Sequence, residues 1–362
     1  MDMIKNLHII PSDKFDVDFI KFINLNFKQS EHIFLLTTSS SKDYEKEKVS
    51  KNVKVYKYMR SNYKILNFFI KIIDIIRIYS IFTCFALHSE KIIFHHIDKL
   101  RLVYLYFFRC FLKKSYWAIW SISNNKTPYE TKGIFLNIEK YVKANFKGYV
   151  TQVKGDYEII KNVFGAKGKY YDCFMYPSNL YKEIKLDFNK KNNNELYIQI
   201  GNSGQECNNH FQIFEKLKKY RDENIRLYCI LSYGALPGYK EKVIKRGKEI
   251  FGDKFVPVVD FMKFEEYMKF LSNIDIAIFA HNMQKAVGNI TSLLSMKKTI
   301  YMKETVTTYG MLQDLGIVVK SFNNFGDLKK LDEIILEKNK EIIKERFSEK
   351  RLIEDLSNLF ND

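Results

Sequence analysis

Tyr197-Ile198-Gln199-Ile200-Gly201-Asn202-Ser203-Gly204 is an apolar run that passes straight into small residues, and the stretch behind it, Asn208 to Tyr220, has helical spacing. A strand, a glycine turn and a helix in that order open a parallel βαβ unit. Without side chains at Gly201 and Gly204, a ligand can approach the backbone, and the helix start favours negative charge. A diphosphate suits such a turn, although a plain connection uses the same chemistry. The stretch is neither Gly-x-Gly-x-x-Gly nor a Walker loop with its lysine, so dinucleotide and P-loop readings lose support.

Working outward, short runs rich in Ile, Val, Tyr and Phe alternate with helical periodicity along the chain. Before the quoted stretch, strands are expected at Leu7 to Pro11, His32 to Thr38, Val53 to Tyr58, Lys91 to His96, Tyr116 to Ser121, Tyr149 to Val153 and Tyr171 to Pro177. From Leu196 onward they are expected at Leu196 to Ile200, Ile225 to Leu231, Phe255 to Val259, Ile274 to Phe279, Thr299 to Met302 and Ile317 to Val319. The polar stretch between the sets, with Lys190-Lys191 before three asparagines, reads as a linker. The expectation is an α/β chain of two Rossmann-like parallel-sheet domains, 1–180 and 195–325, joined by a linker at 181–194 and followed by helices at 326–362 that brace the domains.

The 362 residues suffice for two ordinary cores, and 46% hydrophobic content argues against disorder. Five cysteines without Cys-x-x-Cys spacing fit a reducing cytoplasm rather than a disulfide framework or structural zinc. The opening residues lack the order of a signal peptide. A net charge of +17 points to an anionic partner, with nucleic acid, anionic lipid and phosphorylated substrate all open, and a low-GC genome would inflate lysine without any functional meaning. A nucleic-acid-binding protein is one alternative; no helix-turn-helix, zinc-finger or RNA-recognition signature supports it.

Two segments combine apolar bulk with cations. Leu66, Phe69, Ile70, Ile73, Ile76 and Ile81 are interrupted by Lys71, Asp74 and Arg77, which makes a membrane span costly. Lys99 to Lys114 carries Tyr104, Phe107, Phe108 and Phe111 among Arg101, Arg109, Lys113 and Lys114. Such segments suit an anionic lipid surface, and they equally suit helices that cover a sheet.

In open parallel sheets, ligands sit outside the carboxyl ends of the strands. Besides the Gly201 turn, those ends hold Ser232-Tyr233-Gly234, Ala280-His281-Asn282 followed by Gln284 and Gly288-Asn289, and Lys303-Glu304. Gly201, Gly204 and the amides near Gly288 and Asn289 are the candidates for a diphosphate, with Asn202 and Ser203 in the same turn. Tyr233 would flank a base, and Gln284 and Glu304 would bond sugar or ribose hydroxyls. His281 is either a polar cap or a ligand contact.

At these residues the chain resembles the bacterial TDP-N-acetylfucosamine:lipid II N-acetylfucosaminyltransferases, glycosyltransferase family 56. The resemblance rests on Ile198 to Gly204 with Asn209-His210, Phe264-Glu265-Glu266-Tyr267, Ile278-Phe279-Ala280, Gln284 to Gly288, Lys303-Glu304 and Gln313-Asp314. Nearer the start it is carried by His8 with Ser12-Asp13, Phe94-His95 and Ile119-Trp120. Ser121-Ile122-Ser123 departs from the glycine and aspartate that follow this tryptophan in the family, which puts the acceptor sugar in question.

The resemblance implies a GT-B fold, two domains facing a cleft, with no cofactor and no bound-metal requirement. It implies a TDP-sugar donor such as 4-acetamido-4,6-dideoxygalactose (Fuc4NAc) and an undecaprenyl-diphosphate-linked acceptor. It also implies peripheral placement on the cytoplasmic face of the inner membrane, in synthesis of enterobacterial common antigen or O-antigen. Transfer needs a stabilised leaving group and an acceptor that loses its proton. Without an Asp-x-Asp motif of the kind that would hold a metal-bound diphosphate, Lys303 and helix-end amides are the candidates for the leaving group. Asp13 is the first candidate base and His95 the second, the alternative for either being a helix cap or a structural hydrogen-bond partner; Glu304 completes the catalytic set. A non-catalytic sugar-nucleotide-binding component of a polysaccharide assembly complex is the other alternative.

Overall fold

The computed structural model describes residues 3–11, 15–38, 50–57, 64–120, 131–183 and 195–362, with the side chains of 64–69 and 71 left outside the description. Asp13, Ser121 to Ser123, most of the expected linker and the side chains of Leu66, Phe69 and Lys71 therefore lie outside the described residues. The chain divides into two compact units, one formed by 1–122, 128–178 and 349–362, the other by 123–127 and 179–348.

In the first unit, β1 (Ile4–Pro11), β2 (His32–Thr38), β3 (Val53–Lys57), β4 (Ser89–Phe94), β5 (Ser115–Ala118), β6 (Gly148–Val150) and β7 (Lys169–Tyr171) form one sheet. Its order is β3-β2-β1-β4-β5-β6-β7, with each neighbouring pair parallel. The helices are α1 (Asp16–Asn26), α2 (Lys64–Leu87), α3 (Lys99–Phe107), α4 (Ile134–Ala144) and α5 (Lys154–Phe164). One core joins Leu7, Phe94 and Trp117 of the sheet to Phe82 of α2, Leu105 of α3 and Ile160 of α5.

In the second unit, β8 (Leu196–Ile200), β9 (Ile225–Ile230), β10 (Phe255–Val258), β11 (Ile276–Phe279), β12 (Thr299–Met302) and β13 (Lys320–Ser321) pair in the parallel order β10-β9-β8-β11-β12-β13. The helices α6 (His210–Leu217), α7 (Tyr239–Phe251), α8 (Phe264–Ser272), α9 (Val287–Ser295), α10 (Thr307–Asp314) and α11 (Glu333–Arg346) belong with it. α12 (Glu349–Asn361) belongs to the first unit. A parallel strand covered on both faces has no solvated side, and β11, Ile-Ala-Ile-Phe, is accordingly buried at every position.

Several boundaries differ from the sequence expectation, and three of them have a clear local cause. The last strand lies at Lys320–Ser321, because the Ile317 N–H is held by the Leu312 carbonyl and the Val318 N–H by Asn339 Oδ1, which removes both from the ladder. β7 ends at Tyr171; beyond it Met175 takes φ +61° and Pro177 offers no donor, so the chain cannot continue as a strand. The helix expected from Asn208 begins at His210, since Asn209 is left-handed at φ +53° and a 3-10 turn, Glu206–Asn208, precedes it.

Candidate functional site

Because β8, β9, β11 and β12 are parallel, the loops that follow them leave the sheet at one edge, where side chains tie them together. The centre is Asn208, fully buried. Its Oδ1 accepts from the Asn202 N–H at 2.9 Å and lies 2.9 Å from His281 Nε2, while its Nδ2 donates to Ser203 Oγ at 3.0 Å and to the Gln205 carbonyl at 3.2 Å. His281 Nε2 also lies 3.1 Å from Asn202 Oδ1. Both neighbours are acceptor oxygens, so Nε2 carries the proton, and burial, which pushes the ring pKa down to about 3, keeps His281 neutral.

Glycine 201 has a specific reason here. It sits at φ +62°, and a Cβ would stand 2.7 Å from Asn208 Oδ1. At Gly204 a Cβ would meet the Ala235 Cβ at 2.8 Å. The N–H of Gly201 donates to the Ile278 carbonyl at 3.0 Å and that of Gly204 to the Tyr233 carbonyl at 2.8 Å. The expectation that these two amides take a diphosphate is therefore corrected: both donors are already used, and the glycines shape the turn. Replacing Asn208 by alanine removes its bonds and strands buried partners, and should lower stability by about 2–4 kcal/mol, read as an earlier denaturant midpoint.

The other candidates surround this centre. Tyr233, half exposed, accepts at its hydroxyl from Asn202 Nδ2 at 3.2 Å. Lys303 donates to Asn282 Oδ1 at 2.6 Å, joining the loops after β12 and β11, and burial lowers its pKa. Lys285 reaches back to Gln205 Oε1. Gln284 is buried in the β11 to α9 connection. Glu304 bonds Ser321 through Oε1, while its Oε2 is buried with no hydrogen-bond partner among the described residues.

α9 starts from Ala286 at φ +59° with no side-chain cap, so Val287, Gly288 and Asn289 retain the unpaired N–H character of a helix start. A Cβ on Gly288 would meet only Asn179 Oδ1, at 3.3 Å. The Asn289 side chain accepts from the Tyr267 hydroxyl at 2.9 Å. Tyr267, whose pKa burial raises, also senses Tyr233 and Gln199, so it belongs to the same group. Composition singled out neither Tyr267 nor Asn208; the resemblance passed through Tyr267 and stopped one residue short at Asn209.

In the first unit, His95 follows β4 directly and is fully buried. Its Nδ1 lies 2.6 Å from the Tyr176 hydroxyl and its Nε2 3.2 Å from His8 Nδ1. His95, the second candidate base, is therefore bonded on both ring nitrogens, to Tyr176 and to His8. Asp13 lies outside the described residues.

Two parallel Rossmann-like sheets give the chain the GT-B fold, and the glycosyltransferase class follows from the family match. The model of the 4-alpha-L-fucosyltransferase family, glycosyl transferase group 56, matches residues 86–317, and the chain belongs to that family. Solved structures share the fold. A glycosyltransferase from Rickettsia africae superposes with TM-score 0.65 at 11% identity, covering 100% of this chain and 98% of that one. Anabaena HepE in complex with UDP and glucose gives TM-score 0.66 at 10% identity, covering 98% and 99%. The sucrose-phosphate synthase of Thermosynechococcus elongatus gives 0.66 at 8%, covering 98% of each.

Proposed function

We propose that this glycosyltransferase moves a deoxy-amino sugar of the 4-acetamido-4,6-dideoxygalactose type from a TDP-sugar to an undecaprenyl-diphosphate-linked acceptor. The reading is carried by one observation: the four loop ends after β8, β9, β11 and β12 are joined through Asn202, Asn208, Tyr233, His281 and Lys303, and one of them leads into the uncapped start of α9. The nucleotide and sugar rest on the resemblance. In the reaction, the bond between the sugar C1 and the diphosphate oxygen breaks, a bond from C1 to the acceptor oxygen forms, and the acceptor loses its hydroxyl proton. The first-turn amides of α9 and the Lys303 ammonium are the groups that stabilise the departing diphosphate. Glu304, with one buried oxygen left unbonded, suits a ribose or sugar hydroxyl.

Thermal shifts against TDP, UDP, GDP and CMP test the donor. Stabilisation by TDP above the others is expected; preference for another nucleotide overturns the donor, and no response to any overturns the site.

A membrane-facing acceptor is supported by the surface of α2 and α3. Ile75, Ile76, Tyr79, Leu100, Phe107 and Phe108 line an open apolar groove, with Phe107 72% and Ile76 62% exposed. The nearby acids are neutralised, Asp74 by Arg77 at 3.1 Å and Asp98 by Arg101 at 2.6 Å, while Lys99, Arg109 and Lys113 are exposed. Among the described residues, no helix is long and apolar enough to cross a membrane. Apolar contact framed by uncompensated cations fits an anionic bilayer surface and its inner-leaflet acceptor. Phe107→Asp should weaken sedimentation with anionic vesicles by roughly tenfold or more; unchanged binding would remove this face from the reading.

A further inference from the structure

The first unit contains a continuous line of buried hydrogen bonds that the donor site does not use. It runs from the Tyr176 hydroxyl to His95 Nδ1 (2.6 Å), from His95 Nε2 to His8 Nδ1 (3.2 Å), and from His8 Nε2 to His32 Nδ1 (3.1 Å). The three neighbouring strands β2, β1 and β4 place the imidazoles in sequence: His32 opens β2, His8 lies within β1, and His95 follows β4. The line therefore crosses the sheet from its carboxyl edge toward its amino edge.

We propose that Tyr176, His95, His8 and His32 form a proton relay, which carries the acceptor's hydroxyl proton away from the carboxyl edge of the first sheet. The proposal rests on the reading above, in which the membrane-borne acceptor is met at the α2 and α3 surface of the first unit.

The tautomers permit only concerted states. A neutral imidazole has one donor and one acceptor nitrogen, so three linked rings satisfy every bond only when all carry the proton on the same nitrogen. With Nε2–H throughout, Tyr176 donates to His95, His95 to His8 and His8 to His32. When the acceptor oxygen attacks the sugar C1 and the diphosphate leaves, the acceptor proton passes to the Tyr176 oxygen as the Tyr176 proton passes to His95 Nδ1. His95 gives its Nε2 proton to His8 Nδ1, and His8 gives its own to His32 Nδ1. His32, now holding both protons, gives up the one on Nε2 toward the Glu31 carboxylate, the partly exposed charge that favours its protonated form, and from there it reaches solvent. One proton enters, one leaves, and all three rings finish as Nδ1–H tautomers.

The surroundings suit this transfer. A relay needs neutral rings, since an imidazolium has no acceptor nitrogen and blocks the line. His8 stacks on Phe34 at 4.7 Å and meets Phe19 and Phe360 edge-on at 5.6 and 5.7 Å, an apolar sheath that excludes water. Lys91 adds positive charge on the His8 side, and Lys5 and Glu31 act on His32 in opposite directions. The two ends differ as a relay requires. At the entry, the Tyr176 ring lies 4.8 Å from Trp120, which is 40% exposed at the edge where ligands of parallel sheets sit. At the exit, the Glu31 carboxylate is the charge that favours protonated His32. Three buried imidazoles cost more desolvation than apolar residues of equal volume, so packing alone does not account for them.

The full chain labelled with 15N on histidine, together with Tyr176→Phe and His8→Phe, tests the relay. Tyr176→Phe removes only the hydroxyl, and His8→Phe keeps a ring in the aromatic sheath. In the parent, the His8, His95 and His32 signals should report neutral rings exchanging between the two shared tautomers, and Tyr176→Phe should freeze them in one. Each variant should lower kcat for transfer by about tenfold or more with the donor KM unchanged. A folded His8→Phe or Tyr176→Phe chain with the parent kcat overturns the relay, as does an imidazolium at His8 or His95, or a collapse of activity confined to Asp13→Asn. Exchanging tautomers in a chain that transfers no sugar would refute the proposed function and leave the wire standing.

Discussion

Lowering the pH from 7 to 5 is expected to unfold the first unit. Burial drives the His8 pKa well below its ordinary value and takes His32 to about 4 and His95 to about 3. In the unfolded chain these rings titrate near 6.5, so below that pH the unfolded state binds protons the folded state refuses. The stabilisation is complete above the unfolded value and is lost as the pH falls from there toward the folded values. At pH 5 each ring removes about 2 kcal/mol, and three remove roughly 6 kcal/mol, comparable with the whole stability of a domain. The chain has two tryptophans, Trp117 and Trp120, and both lie in this unit, so their emission reports on it alone. A red shift of the buried Trp117 near pH 5, above the range in which carboxylates titrate, is the expected result; emission unchanged to pH 4 would contradict neutral, buried histidines.

Lys303→Ala is expected to have the largest effect on catalysis. Lys303 is held by Asn282 Oδ1, with Nζ 5.9 Å from the centre of the Phe322 ring, and is mostly shielded from water, where a positive charge acts strongly on a developing anion. Loss of one preorganised group of this kind slows turnover about 10²- to 10³-fold. The fall should show in kcat under saturating donor, with the thermal midpoint close to the parent, because only one hydrogen bond is lost. A variant with the parent kcat would exclude Lys303 from leaving-group stabilisation.

Much of the fold was legible because parallel sheets buried on both faces write themselves as continuous apolar runs, as at Ile276–Phe279 and Thr299–Met302. Where a boundary moved, local bonds outweighed hydrophobicity: Ile317 and Val318 are as apolar as any strand, yet their N–H groups belong to Leu312 and Asn339. The loop ends of the candidate site were legible for the same topological reason. Their internal wiring was not. Nothing in the composition of Asn208 distinguishes it from its neighbour Asn209, and only a left-handed Gly201 brings its side chain beneath the turn. The histidine line was equally hidden, because His8, His32 and His95 are separated in sequence and meet only through the strand order β2-β1-β4.

The segment 349–362 that completes the first unit is separated from the rest of it by the whole of 179–348. Phe360 of α12 lies 4.7 Å from the His32 ring and 5.1 Å from Phe27, and the Leu359 carbonyl accepts from Lys91. On a ribosome these contacts cannot form when the strands of the first sheet emerge. At roughly 5–20 residues per second, the intervening 170 residues impose a delay of about 10–30 s during which that aromatic flank is bare. The second unit, contiguous but for 123–127, has no comparable wait, so the part of the chain made first is the part that matures last.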